Sequence, residues 1–113
     1  IDAPSHFQKD GKTIDQLDLS LVIGKCKVFD MSSVMDGITQ DHLENLDIQA
    51  RDIVLFKTSN SALQPTDTFN PQFIFLEISG AQYLAERKVK AVGIDYLGIE
   101  RGQAGHLTHK ALF

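Results

Sequence analysis

The chain has 113 residues, of which 42% are hydrophobic and 23% charged, and these values exclude a disordered or fibrous protein. With 15 acidic and 11 basic residues the formal net charge is −4, which argues against a nucleic-acid partner because such binding needs clustered Lys and Arg. No apolar run in the sequence approaches the roughly 20 residues of a membrane-spanning helix. The single cysteine, Cys26, favours a reducing, cytoplasmic location.

The first half of the chain predicts one strand and one short helix. Residues 1–6 are expected to be extended or turning, because Pro4 lacks an N–H and fixes its own backbone angle. The alternation of side chains within residues 25–30 predicts a half-buried strand. Thr39 is a good N-cap for a helix that runs to Leu46.

The second half predicts two apolar strands on either side of a helix. Residues 51–58 contain four consecutive apolar side chains, which indicates a central strand buried on both faces. Ser79 is expected to cap a helix over 80–88, and the apolar residues 89–94 predict the next strand. Thr108 is expected to begin a further helix. Strands that alternate with helices indicate an α/β fold with parallel pairing.

An aspartate and a histidine stand four positions apart near the N-terminus. Asp2 and His6 offer oxygen and nitrogen ligands for zinc or manganese, or an orienting pair for acid–base chemistry. In a straight strand they would lie roughly 13 Å apart, so they can meet only if the chain bends near Pro4. Spacing alone favours the simpler alternative of a surface aspartate and a capped histidine beside a turn.

A second group of polar residues follows the last predicted strand. Asp95 stands at the strand end, where a carboxylate often accepts hydrogen bonds from loop N–H groups. The end of a buried strand is also where α/β proteins usually bind ligands. His106 and His109 are three apart, so a helix would project both from one face. The alternative is an ordinary solvated pair of histidines.

The string Asp-Ala-Pro-Ser-His at 2–6 and the strings at 51–60, 92–100 and 109–113 share one resemblance. They resemble the cyclase family of metal-dependent hydrolases, which includes bacterial kynurenine formamidase and isatin hydrolase. The string at 2–6 is similar to the second half of the family's metal motif, His-x-Gly-Thr-His-x-Asp-x-Pro-x-His. The first two histidines of the motif are absent, and Gly98 replaces the usual serine.

This resemblance implies an α/β fold with a mixed, partly barrel-like β-sheet and flanking helices, of the swivelling β/β/α type. It implies one partial hydrolase domain over residues 1–113, incomplete at both ends. Asp2 and His109 would be metal ligands and His6 the general acid/base, whereas His106 would be a neighbour without an assigned role. A further glutamate ligand would lie beyond Phe113. The fold must then bring Asp2 and His109 together from opposite ends of the chain.

The resemblance also implies an activity. Family members hydrolyse an amide-type C–N bond of an aryl formamide or a cyclic amide with the help of a divalent metal, here zinc first and manganese second. The expected partners are a small-molecule substrate and further copies of the chain in a homo-oligomer, either a dimer or a tetramer. The alternative is a non-catalytic domain of the same fold that binds a small molecule or a protein.

Two further alternatives concern side chains outside these motifs. Phe69, Phe73 and Phe75 could form an exposed docking patch, although alternating aromatic residues favour burial in the core. Cys26 could be a nucleophile activated by the flanking lysines, although a buried structural thiol is the stronger expectation.

Overall fold

A computed structural model of the protein describes residues 1–63 and 68–113. Within these ranges the regular elements are β1 Cys26–Asp30, β2 Gly37–Ile38, α1 Gln40–Leu43, β3 Ile53–Lys57, β4 Phe75–Leu76, α2 Ile78–Glu86, β5 Ala91–Ile94 and α3 Leu107–Leu112. Short 3₁₀ turns cover Pro4–His6, Ile14–Gln16, Leu19–Val22 and Ser59–Ala62. Every helix in the described ranges is too short or too polar to cross a membrane.

The strands form two parallel sheets. In the three-stranded sheet β3 lies between β1 and β5, with Val28 opposite Leu55 and Leu55 opposite Gly93. In the two-stranded sheet β2 pairs with β4, with Ile38 opposite Leu76. The α/β class and the parallel pairing are therefore confirmed. The expected barrel-like curvature is not confirmed, because both sheets of the described chain are open.

The core lies on one face of the three-stranded sheet. Val54 and Phe56 of β3 are 0% and 2% exposed, and they belong to one cluster with Leu43 of α1 and Leu84 of α2. Burial of each such side chain contributes roughly 1.5–3 kcal/mol. Leu55 points to the opposite face and is 38% exposed. The prediction that β3 is buried on both faces is therefore wrong for the described residues, because the core packs against one face only.

The helix starts agree with the sequence in one case and differ in another. Thr39 is the N-cap of α1 as predicted, although the helix ends before Leu46. The predicted cap Ser79 lies inside α2, and Glu77 is the N-cap. The Glu77 carboxylate accepts a hydrogen bond from the Ser79 amide at 2.8 Å. A charged carboxylate at this place satisfies the free N–H and also matches the positive end of the helix dipole.

The exposure of Cys26 and of the three phenylalanines decides between the alternatives stated for them from the sequence. Cys26 is exposed, so the expectation of a buried thiol is wrong. It shares the open face of the sheet with Val28, which is 63% exposed. Phe73 and Phe75 are buried, as the core alternative predicts, whereas Phe69 is 56% exposed and meets the Phe73 ring edge-on.

Candidate metal centre

A tight turn at the N-terminus brings Asp2 and His6 together. Pro4 opens the 3₁₀ turn, at a position where a backbone N–H would have no partner inside the turn, so the lack of this N–H in proline costs nothing. Gly11 packs against this turn so closely that a Cβ there would lie 2.5 Å from the Pro4 carbonyl carbon. As a result, Nδ1 of His6 lies 2.8 Å from Oδ1 of Asp2. The bend that the sequence requires near Pro4 is present.

Helix α3 brings His109 to the same carboxylate. His109 is 6% exposed, and its Nε2 lies 3.4 Å from Oδ2 of Asp2. One aspartate therefore faces two histidines, with Oδ1 toward His6 and Oδ2 toward His109. The structure thus brings together the three residues that the family resemblance singles out.

The separation of Asp2 and His109 fits two ligands of one metal ion. An N–H···O hydrogen bond usually spans about 2.7–3.2 Å, which is shorter than the observed 3.4 Å. Two ligand atoms at about 2.0–2.2 Å from a tetrahedral zinc lie roughly 3.3–3.6 Å apart. Carboxylate oxygen and imidazole nitrogen are also a normal donor set for zinc and manganese. The pair present therefore fits a divalent cation.

Glu100 is the site residue that sequence reasoning missed. Its Oε1 lies 2.9 Å from Nδ1 of His109 and 2.9 Å from Nδ1 of His106. The ring N–H of His109 is not in line with this oxygen, so Nδ1 has no aligned hydrogen-bond partner among the described residues. The available signal was that Glu100 ends the family-like string at 92–100. Separations of six and nine residues from His106 and His109 match no helix or strand period, so the spacing gave no reason to pair them.

Glu100 and the two histidines also form a second possible ligand set. Their ligand atoms all lie within 4.8 Å of one another. His106 adopts a left-handed backbone conformation with φ +48°, which places its half-exposed ring beside Glu100. The contacts of 2.9 Å are those of a hydrogen bond or ion pair rather than of two ligands on one zinc. The spacing therefore favours Asp2 with His109 as the ligand pair.

One aromatic ring covers the histidines. Phe7 stacks on His109 with ring centroids 3.8 Å apart and an interplanar angle of 26°. The same ring lies 4.4 Å from His6 and 5.0 Å from His106. Such stacking fixes the orientation of His109 and shields one face of its ring from water.

The comparison with known proteins decides the family. The profile of the family Cyclase matches residues 1–101. This chain belongs to the cyclase family. The profile ends before His109, but the superposition with a solved structure of the same fold covers 99% of the chain.

Relatives of this cyclase chain are longer than the chain itself. The kynurenine formamidase of Bacillus mycoides (strain KBAB4) is 28% identical over 100 residues, which are 88% of this chain and 46% of that protein. The chain thus spans about half the length of the curated relatives it matches. A solved structure described as a "Potential Metal-Dependent Hydrolase With Cyclase Activity" has a TM-score of 0.92 and 49% identity, covering 99% of this chain and 54% of the other. Isatin hydrolase A from Labrenzia aggregata shares the fold, with a TM-score of 0.76 and 24% identity, covering 98% of this chain and 51% of the other.

Both carboxylates of the candidate site are held in the charged form. Burial raises the pKa of Asp2, but its contacts with His6 and His109 outweigh this effect, and the pKa lies below its ordinary value of 3.8. Burial likewise raises the pKa of Glu100, but its contacts with His109 and His106 bring the pKa below 4.5. The site therefore presents two anions at neutral pH, which is the charge a divalent cation needs.

An apolar cavity adjoins the pair Asp2 and His109. It has a volume of about 650 Å³, and both residues line it together with Leu55 and Val92 of the sheet and Phe113 at the end of α3. A cavity of this kind, with apolar walls and a few polar groups, is typical of a small-molecule site.

Asp95 has a separate, structural role in this cyclase chain. Its carboxylate accepts hydrogen bonds from the Thr58 amide at 2.8 Å and the Thr58 hydroxyl at 2.7 Å. The amide of Ser61 donates a third bond at 3.1 Å, and the Ser61 hydroxyl donates a fourth. Asp95 thus ties the end of β5 to the loop after β3, as the loop-binding alternative predicts.

Proposed function

We propose that this chain is part of a metal-dependent hydrolase that cleaves an amide-type C–N bond in an aryl formamide or a cyclic aryl amide. The observation that carries the proposal is the shared Asp2 carboxylate, with His6 on one oxygen and His109 on the other. Membership of the cyclase family supports it, as do curated relatives named kynurenine formamidase.

Asp2 through Oδ2 and His109 through Nε2 would hold the metal. A divalent cation bound there supplies Lewis-acid chemistry and lowers the pKa of water toward neutrality. A catalytic zinc takes about three protein ligands, and this pair supplies two. We therefore propose that residues 1–113 form one part of a single hydrolase domain and that another ligand comes from outside them. Zinc is the first candidate and manganese the second, since both accept this donor set.

His6 is proposed as the general acid/base. Its Nδ1 is held by Oδ1 of Asp2, which leaves Nε2 free to exchange a proton. The ring is 63% exposed, so it can receive a proton from water and return it to the leaving nitrogen. Acid–base help of this type accelerates a reaction about 10²- to 10⁴-fold.

The cavity beside the site supports an aromatic substrate. Its apolar walls can receive an aryl ring, while Asp2 and His109 mark the wall where the amide would lie. The exposed apolar side chain of Val28 on the open sheet face supports a homo-oligomer, proposed as a dimer or tetramer. The exposed Cys26 thiol suits the reducing environment of the cytoplasm.

The test is hydrolysis by the full-length protein. The purified protein is stripped with a chelator, reloaded with zinc or manganese, and assayed on an aryl formamide and on a cyclic aryl amide. We expect turnover of at least one of them, lost on stripping and restored by metal. Turnover that survives complete removal of metal would contradict the mechanism. Binding of the aryl compound without hydrolysis would favour the non-catalytic alternative.

A further inference from the structure

Glu100 is a buried charge that contacts two structural features at once. Its side chain is 2% exposed, and its Oε2 accepts hydrogen bonds from the amides of Thr108 at 2.8 Å and His109 at 3.4 Å. These amides begin α3 and have no partner inside the helix. The other oxygen, Oε1, faces Nδ1 of His106 and of His109. Burying a charged carboxylate costs free energy, so the contacts of Glu100 must offset that cost.

The contact orients the His109 ring between two carboxylates. Its Nδ1 lies 2.9 Å from Oε1 of Glu100, which is within hydrogen-bond reach of a ring nitrogen. Its Nε2 lies 3.4 Å from Oδ2 of Asp2. The two nitrogens of one ring thus face two different carboxylates. A metal on Nε2 would leave the ring proton on Nδ1, on the side of Glu100.

We propose that Glu100 is the positioning residue of His109. It keeps the proton on Nδ1 and aims the lone pair of Nε2 toward Asp2, while it anchors the start of the helix that carries the ring. This assignment rests on the metal site of the proposed function, and Glu100 itself is not a ligand. A carboxylate behind a ligating histidine is a known way to orient the ring and to raise its basicity.

Zinc alone, added to the full-length protein with nitrogen-15-labelled histidine, tests the assignment. Magnetic resonance identifies the ring nitrogen of His109 that binds zinc, and competition with a chromophoric chelator gives the affinity. We expect zinc on Nε2 with the proton on Nδ1, and a loss of about 10- to 100-fold in affinity in Glu100→Gln. The control is His106→Gln, which removes the second ring from Oε1 and should change affinity less than threefold.

Zinc bound through Nδ1 of His109 and of His106 would overturn the assignment, as would a Glu100→Gln variant within threefold of the wild type. The assignment of the nitrogen needs no variant, so it decides the matter even if Glu100→Gln does not fold. Thr108→Ala removes the hydroxyl that donates to the Leu76 carbonyl at 3.1 Å and reports what a loosened α3 alone does to the affinity. Zinc binding as expected without amide hydrolysis would refute only the proposed function. A wild-type protein that retains no zinc would overturn both the role of Glu100 and the proposed function.

Discussion

Oδ2 of Asp2 lies 3.4 Å from Nε2 of His109, although the two residues stand near opposite ends of the chain. The contact depends on a turn at Pro4, on helix α3, and on a buried carboxylate behind the histidine. This separation is longer than a hydrogen bond and suits two ligands of one ion. A site assembled from elements so distant in sequence forms only when the domain folds.

Replacing Asp2 by alanine should remove metal and activity together. The substitution deletes the ligand oxygen and also the acceptor that holds His6. Zinc content by elemental analysis should fall by at least tenfold, and turnover of the aryl amide should fall with it. The matched control is Asp10→Ala, another exposed aspartate of the N-terminal segment, which should retain both. Full zinc content in Asp2→Ala would exclude Asp2 as a ligand.

Replacing His6 by alanine should separate metal binding from catalysis. The ring contacts Asp2 only through Oδ1, so zinc content should survive, while turnover falls by two or more orders of magnitude. The control is His42→Ala, because His42 lies at the start of α1 and contacts Thr39 instead. Unchanged turnover in His6→Ala would remove this residue from the mechanism.

Asp95 should stabilise the fold in a pH-dependent way. Burial raises its pKa, but hydrogen bonds from Ser61 and Thr58 outweigh this, so the pKa in the folded state lies below 3.8. The stabilisation is therefore complete above the ordinary pKa and is lost as the pH falls through the lower, folded value. At pH 7, Asp95→Asn should lower the free energy of unfolding by about 1.5–3 kcal/mol.

Denaturant titrations of the wild type and Asp95→Asn at several pH values check this prediction. The difference in the free energy of unfolding should stay constant from neutral pH down to about pH 5 and shrink below the ordinary value of 3.8. A difference that is independent of pH, or that grows toward acid, would show that the charge of Asp95 is not what stabilises the fold.

The core predicts a simple contrast between two leucines. Leu84 of α2 is fully buried, so Leu84→Ala should cost about 2–5 kcal/mol of stability. Leu97 is 78% exposed, so the same truncation there should stay within about 0.5 kcal/mol. Thermal or chemical unfolding measures both. Equal effects would contradict the assignment of Leu84 to the core.

Periodicity and apolar runs predicted the three strands of the main sheet, because the preference of a segment for strand follows from its local composition. They could not show that Leu55 faces an open side, since this depends on which elements pack there. The start of α2 was missed because Glu77 accepts hydrogen bonds from both the amide and the hydroxyl of Ser79, which places Ser79 inside the first turn of the helix.

The candidate site also contains residues that could be predicted from the sequence and residues that could not. Asp2, His6 and His109 could be named because the strings that contain them resemble the family, and such a resemblance can be read from the sequence alone. Glu100 could not be assigned, because its role follows from a loop that folds it under α3. The Phe7 ring that stacks on His109 was likewise unpredictable, since it comes from the other end of the chain.

The central claim is that Asp2 and His109 bind one divalent cation. Anomalous diffraction at the zinc edge from crystals of the zinc-loaded full-length protein tests it most directly. The account predicts an anomalous peak between Oδ2 of Asp2 and Nε2 of His109. A peak centred instead between Glu100 and His106, or the absence of any peak beside Asp2, would contradict it.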